Sequence, residues 1–114
     1  MSDNKGDKVN KDGLNTLDVN LTLEDIKMGS PWSPYCCPVT RAIRRLFHDK
    51  SVVICSGKPS IYIEFPRSNQ VFIYKTPPEV VKFIAGFDKS QYHCSVKPIQ
   101  FTLVLYKELA VEGK

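Results

Sequence analysis

The sequence has no long hydrophobic run, and this absence argues against a membrane protein. Its longest apolar stretches, residues 52–55 and 103–106, are far shorter than the ~20 residues that a membrane-spanning helix needs. Residues 1–16 also lack the apolar segment of a secretory signal peptide. We therefore expect a protein of the cytoplasm, with no membrane partner.

Metal-binding and redox motifs are missing as well. The chain has four cysteines and two histidines, but it has no C-x-x-C pair. Cys36 and Cys37 are adjacent and Cys55 and Cys94 stand alone, so a zinc site would have to gather ligands from scattered positions. We expect reduced cysteines, no metal and no cofactor.

The composition is typical of one small globular domain. Of the 114 residues, 42% are hydrophobic and 25% are charged, and the net charge is +4. The basic residues are spread along the chain, so this charge suits an anionic ligand or an acidic partner without requiring nucleic acid. Residues 1–16 predict a disordered polar tail, residues 17–107 a single domain, and residues 108–114 a flexible C-terminus.

Hydrophobic periodicity predicts an α+β fold. Alternating residues predict strands at 17–21, 60–65, 70–75 and 99–105, and the apolar run at 51–56 predicts a central strand covered on both faces. A capping-box pattern at Thr22 predicts a short helix. Apolar residues at helical spacing predict two more helices, one from Pro38 to about His48 and one after Pro78.

The resulting order, β-α-α-β-β-β-α-β, indicates a mostly antiparallel sheet of four to five strands with two to three short helices on one face. The hairpin register at residues 60–75 stays open, because it depends on the parity of the turn.

The start of the helix at Pro38 is the strongest candidate for a ligand site. A helix N-terminus presents unpaired N–H groups and the positive end of the helix dipole, which favour a phosphate or a carboxylate. The candidate set is Trp32, Tyr35, Cys37 and Arg41, with an aromatic ring to stack on a base and a guanidinium to pair with the anion. The alternative is structural: Cys36 and Cys37 lead into a capped helix, and Trp32 covers the edge of the core.

The basic side of the same helix is a second candidate surface. It consists of Arg44, Arg45, His48 and Lys50, which with Arg41 form the densest positive cluster of the sequence. Such a cluster could follow a phosphate backbone, although the sequence has no helix-turn-helix, zinc-finger or ribonucleoprotein motif. A solvated helix face accounts for the same residues.

Catalysis has less support. Cys37 is a candidate thiolate with His48 or His93 as its base, but His48 lies about three turns further along the predicted helix. The carboxylates are scattered and form no acid–base or metal motif. We predict that the protein is not an enzyme.

Three groups of residues form a pattern that covers residues 17–105. They are Leu21, Thr22, Glu24, Ile26 and Gly29; Cys37, Pro38, Val39, Ala42 and Ile43; and Val80, Val81, Phe83, Ile84, Phe87, Asp88, Val96, Pro98, Ile99 and Phe101. This pattern resembles a family of short, functionally unassigned proteins of bacteriophages, prophages and their hosts. The chain departs from it at Arg41, Arg44 and Arg45, where more neutral residues are expected, and in its extra polar tail.

The resemblance implies a viral or mobile-element accessory protein. We expect it to antagonise a host process, with host defence as the target, by sequestering a small anionic, nucleotide-like ligand or by occluding a host protein. Nucleic-acid binding by the basic helix at residues 38–48 is the alternative. Self-association into a homo-oligomer is left open.

Overall fold

The elements of the fold follow the order that the sequence predicts. The computed structural model describes residues 11–30, 33, 35–57, 59–89 and 96–110. Within them lie a 3-10 turn (Lys11–Leu14), strands β1 (Thr16–Leu21), β2 (Val53–Ser56), β3 (Ser60–Phe65), β4 (Gln70–Lys75) and β5 (Ile99–Ala110), and helices α1 (Leu23–Met28), α2 (Pro38–Arg44) and α3 (Pro78–Lys89). The predicted α+β class is confirmed.

The five strands form one antiparallel sheet in the order β1-β5-β4-β3-β2. Strand β5 is long because it has two partners in succession: residues 99–104 pair with β1, and residues 105–110 pair with β4. A β-bulge at Tyr106 separates the two halves, since Tyr74 pairs with Leu105 and Ile73 pairs with Lys107. The bulge shifts the alternation of side chains along β5.

The hairpin of β3 and β4 has a register that the sequence left open. Residues 66–69 connect the strands, and Asn69 has φ 55°, a left-handed conformation that asparagine tolerates better than most residues. Tyr62 pairs with Ile73. Their neighbours Ile61 and Tyr74 are fully buried, so Tyr62 and Ile73 point to the outer face of the sheet.

The sheet curls around α2. Strands β1 and β2 are the two edges of the sheet, yet α2 packs against both of them. A flat sheet would hold these edges about 19 Å apart, whereas a helix with its side chains is only about 10–12 Å wide. The two edge strands, β1 and β2, therefore lie close enough together for one helix to contact both. Val39, Ala42 and Ile43 of α2 are at most 2% exposed in this gap.

The helices and the inner face of the sheet enclose one hydrophobic core. Its largest fully buried side chains include Tyr74, Phe72 and Phe87. The hydroxyl of Tyr74 donates to the carbonyl of Leu14 at 2.7 Å, which satisfies a polar group deep in the core. Among the described helices none is long and apolar enough to cross a membrane.

Helix α2 is shorter than the sequence predicts. It ends at Arg44 and not near His48, because the N–H groups of Leu46 and Phe47 bond to carbonyls three residues back and tighten the chain into a turn. Leu46 is 43% exposed and does not belong to the buried stripe. Phe47 packs edge-on against Phe65, with ring centroids 5.7 Å apart.

The prediction of a central strand at residues 51–56 is wrong. Strand β2 is an edge strand, in which Ile54 and Ser56 are buried while Val53 and Cys55 point outward. The continuous apolar run arises because the outward positions of this strand are apolar too.

The fold extends beyond the predicted domain boundaries at both ends. Leu14 is only 8% exposed, and the carbonyl of Asn15 accepts a hydrogen bond from the N–H of Leu105. Residues 11–16, predicted as part of the tail, therefore contribute to the domain. Strand β5 continues to Ala110, within the segment predicted to be flexible. Residues 1–10 and 111–114 lie outside the described residues.

We expect deletion of residues 1–15 to destabilise the protein more than deletion of residues 1–10. The longer deletion removes the buried side chain of Leu14, worth about 1.5–3 kcal/mol, and the two carbonyl acceptors of Leu14 and Asn15, worth about 0.5–1.5 kcal/mol each. Urea denaturation should give a free energy of unfolding about 2.5–6 kcal/mol lower for the shorter chain. Equal stability of the two truncated proteins would contradict the role of Leu14.

Candidate functional site

The arginines of the predicted binding helix converge on a buried carboxylate. Asp25 in α1 is 0% exposed. Arg45 donates to it twice, from Nη1 to Oδ1 and from Nη2 to Oδ2, each at 2.6 Å. Nε of Arg41 lies 3.6 Å from Oδ1 of the same group. A bidentate arginine–carboxylate pair fixes both position and orientation, so Arg45 joins the end of α2 to α1.

The capping box of α1 holds Asp25 in place. Its Oδ2 accepts the N–H of Thr22 at 2.9 Å, and the hydroxyl of Thr22 accepts the N–H of Asp25 at 3.3 Å, as the sequence pattern predicts. Burial on its own would raise the pKa of Asp25. The hydrogen bonds from Arg45 and Thr22 and the charge of Arg45 outweigh it and keep the pKa below its ordinary value.

Further polar contacts tie α2 to the two edges of the sheet. Arg45 also donates to the carbonyl of Asn20 in β1 at 2.8 Å. On the opposite side, the buried hydroxyls of Thr40 and Ser56 share a hydrogen bond of 2.8 Å that links α2 to β2. The edge strands are therefore attached to the same short helix by both apolar and polar contacts.

Arg44 has a similar structural role. Its guanidinium donates to the backbone carbonyls of Lys50 and Val52, in the segment that leads from α2 to β2. His48 and the side chain of Lys50 are exposed beyond the end of the helix. The predicted basic face is thus divided: its arginines make contacts within the protein although Arg45 is partly exposed, and His48 and Lys50 are exposed.

The structure brings together only part of the predicted anion site at the start of α2. Tyr35 is 60% exposed, but Cys37 is the N-cap residue, is 6% exposed and makes no side-chain cap bond. Nε of Arg41 is buried and directed at Asp25, so the guanidinium assigned to an external anion already faces an internal one. Trp32 lies outside the described residues.

The described side chains include no group of three or more His, Cys, Asp and Glu residues placed to hold a metal ion. Cys36 is exposed, Cys37 is buried and Cys55 is half-buried, and all three are free thiols. His93 and Cys94 lie outside the described residues. The absence of catalysis stays a prediction.

A concave groove that the sequence analysis missed lies where β5 changes partner. Its volume is about 440 Å³, within the range of ligand and peptide sites. It lies between the segment that connects β4 to α3 and the middle of β5, and it is lined by Lys75, Thr76, Pro77, Pro78, Thr102, Val104, Leu105 and Tyr106. We refer to it as the Tyr106 groove.

Proline chemistry explains why the groove forms. Strand β4 ends at Lys75, and Pro77 and Pro78 have no N–H group with which to continue pairing along β5. The chain leaves the sheet there and starts α3, while β5 continues and pairs with β1. The two prolines therefore form one wall of the groove and β5 forms the other.

The groove has a cation beside an exposed aromatic ring. Nζ of Lys75 lies 5.0 Å from the centroid of the Tyr106 ring, a cation–π distance. Tyr106 is 62% exposed and Val104 is 60% exposed. Tyr106 lies on the same face as Thr102 and Val104, and the bulge shifts the alternation from Lys107 onward. The prolines were visible in the sequence, but the bulge and the pairing of β5 were not.

Comparison of the chain with protein-family models, curated proteins and solved structures found no match. The resemblance to phage proteins therefore stays a prediction. The residues that carry it have structural roles: Ile26 and Val39 are buried in the core, and a Cβ on Gly29 would lie 2.6 Å from Cδ of Pro38. These three residues describe how α1 packs on α2.

We expect Arg45→Met to lower the free energy of unfolding much more than Arg67→Met. The first change leaves the buried carboxylate of Asp25 without its main partner, at a cost of about 3 kcal/mol, the lower end for a buried pair because Arg45 is 48% exposed. Arg67 is 81% exposed and 3.9 Å from Asp49, so its loss should cost less than about 1 kcal/mol. Urea denaturation measures both, and equal losses would contradict the assignment.

We also expect the contribution of Asp25 to be lost in acid. Its folded pKa lies below the ordinary value of about 3.9 that it has in the unfolded chain, so its stabilisation is complete above about pH 4 and is lost as the pH falls through the folded pKa. The difference in unfolding free energy between the protein and Asp25→Asn should be the same at pH 7 and 5 and should shrink from pH 4 to 3. An unchanged difference at pH 3 would show that Asp25 does not titrate in this way.

Proposed function

We propose that this chain is a non-enzymatic binding protein that covers part of a partner protein, and that the Tyr106 groove is its recognition site. The observation that carries the proposal is the combination of an apolar concave surface, an exposed tyrosine and a single ammonium group at one place. Tyrosine is enriched at protein interfaces because it supplies a large rigid contact area and a polar tip.

The chemistry of the groove favours a peptide segment over a free nucleotide. The groove is lined by one cation, Lys75, and its walls are formed by the apolar residues Pro77, Pro78 and Val104. The phosphates of a nucleotide are usually held by several backbone N–H groups or cations. An apolar side chain next to a carboxylate matches the groove better, with the apolar group against the prolines and the carboxylate on Lys75. The partner segment is thus acidic and apolar.

This function agrees with the accessory role that the resemblance implies, since occluding a host protein requires no chemistry. The alternative, nucleic-acid binding by the basic helix, has less support. The guanidinium groups of Arg44 and Arg45 already donate to groups of the protein, which leaves fewer of their N–H groups for a phosphate backbone. At the start of α2, Nε of Arg41 is buried 3.6 Å from Oδ1 of Asp25, so only the rest of that guanidinium could meet an anion.

We expect a peptide selected on this protein to bind through Lys75 and Tyr106. A random peptide library displayed on phage and selected on the immobilised protein should yield sequences with an acidic residue beside an apolar one. Fluorescence anisotropy with such a peptide should show affinity about tenfold or more weaker for Lys75→Glu and for Tyr106→Ala, because each loses a central contact.

The matched control is Lys50→Glu, which makes the same charge change at an exposed position elsewhere and should alter the affinity less than about twofold. Titration calorimetry with mono-, di- and cyclic nucleotides tests the competing function. Nucleotide binding that Lys75→Glu leaves unchanged, or equal weakening by Lys50→Glu and Lys75→Glu, would contradict the proposal.

A further inference from the structure

The outer face of the sheet carries a second apolar surface, separate from the Tyr106 groove. It is formed by the outward side chains of four neighbouring strands: Val53, Cys55, Tyr62, Val71, Ile73 and Leu109. We call it the outer patch. Tyr62 is 45% exposed, Leu109 41% and Val53 39%, while the others are half-buried by their neighbours.

The strand register makes the outer patch contiguous. Tyr62 pairs with Cys55 on one side and with Ile73 on the other, which gives one row across β2, β3 and β4. Two residues further along the strands, Val71 pairs with Leu109 on one side and with Glu64 on the other, and Val53 lies beyond Glu64 in this second row. Neighbouring strands lie about 4.8 Å apart, so side chains within a row touch.

Part of the outer face is polar, as expected for a sheet face in water. Where β1 pairs with β5, the outward residues include Asp18, Asn20, Gln100 and Thr102, and the hydroxyl of Thr102 donates to Asp18 at 2.8 Å. An antiparallel sheet with one solvated face normally alternates apolar and polar residues. This alternation fails over the outer patch, as it also does at Val104 and Tyr106 of the Tyr106 groove, and an exposed apolar surface of this kind marks an interaction site.

Two opposite charges lie on either side of β4 within this surface. Glu64 on β3 pairs with Val71, and Lys107 on β5 pairs with Ile73, so both side chains point outward, and both are exposed. β4 lies between them, which keeps the two strands about 10 Å apart. Lys75, the remaining outward cation of β4, is drawn aside over the ring of Tyr106. The charge pattern is therefore one acid and one base, arranged about the axis of β4.

We propose that two copies of this chain associate face to face through the outer patch, with a two-fold axis parallel to β4. Rotation about that axis places β3 of each copy over β5 of the other. Glu64 of each copy then lies within side-chain reach of Lys107 of the other copy, which gives two such pairs in the dimer. Val71 and Ile73 lie along the axis, and the sheets pack about 10 Å apart as in a β-sandwich.

We expect a second copy of this chain on the outer patch because the charges of the patch are self-complementary. A surface with balanced charges offers nothing to a nucleic acid or an anionic membrane, which require a positive field. An unrelated protein would need its own acid and base at the matching positions, whereas a rotated copy supplies them by symmetry.

The size of the outer patch sets the expected affinity. Four strands by about six residues give a face of about 19 by 20 Å, and two such faces bury about 800 Å² in all, less than standard interfaces do. The dimer is therefore expected to be weak and transient.

Sedimentation velocity of the full chain from 1 µM to 1 mM tests the proposal. We expect the 12.9 kDa monomer at low concentration and a species of twice that mass at high concentration. Tyr62→Glu and Leu109→Glu should each abolish the dimer, while Gln100→Glu, on the polar part of the same face, should leave it unchanged. A monomer at 1 mM, or a dimer that Tyr62→Glu and Leu109→Glu do not affect, would overturn the proposal.

A charge swap tests the two-fold axis. Glu64→Lys and Lys107→Glu should each weaken the dimer about tenfold, because each brings like charges together across the interface. The double variant should restore the original dissociation constant. If the double variant is as weak as the single ones, the two side chains do not meet and the proposed arrangement is wrong.

Thiol labelling tests the interface without any substitution. Cys55 lies in the outer patch and Cys36 is exposed in the loop before α2. Labelling by N-ethylmaleimide, read peptide by peptide in a mass spectrometer, should slow several-fold at Cys55 between 10 µM and 1 mM protein and stay constant at Cys36. Equal rates at Cys55 across this range would overturn the proposal.

Discussion

The bidentate contact between Asp25 and Arg45 fixes the helix on which the shape of the whole sheet depends. A buried carboxylate is costly unless it is paired and hydrogen-bonded, and here Arg45 and the capping box of α1 supply both. The contact holds α2 between the two edge strands, where Thr40 reaches one edge and Arg45 the other. With α2 in place, the exposed N–H and C=O groups that make sheet edges prone to aggregation are covered on that side.

This arrangement divides the molecule into a side used for folding and a side available for binding. The arginines that make the sequence look basic around α2 are turned onto an internal acid and onto backbone carbonyls. The surfaces free for partners lie on the outer face of the sheet, as the Tyr106 groove and the outer patch. Both depend on β5, because its change of partner opens the groove and the shifted alternation after the bulge directs Lys107 and Leu109 outward.

The two proposed surfaces have different chemistry, and they adjoin on β4, where Lys75 of the groove lies two residues from Ile73 of the outer patch. The groove is concave and has one ammonium group beside an aromatic ring, which suits a single side chain of a partner next to a carboxylate. The outer patch is broad and balanced in charge, which suits a copy of itself.

The sequence by itself determined the features that depend on neighbouring residues. The order of the elements, the capping box at Thr22 and the start of α2 at Pro38 are local patterns, and all three are confirmed. Only the tertiary structure decided that β2 is an edge strand, that α2 ends at Arg44 and that Asp25 pairs with Arg45. It also decided the placement of Tyr106, since the bulge arises from the register in which β5 pairs with β4. Contacts between residues far apart in the chain follow from how the elements pack. Hydrophobic periodicity indicates which face of an element is buried, but it does not indicate which other element covers that face.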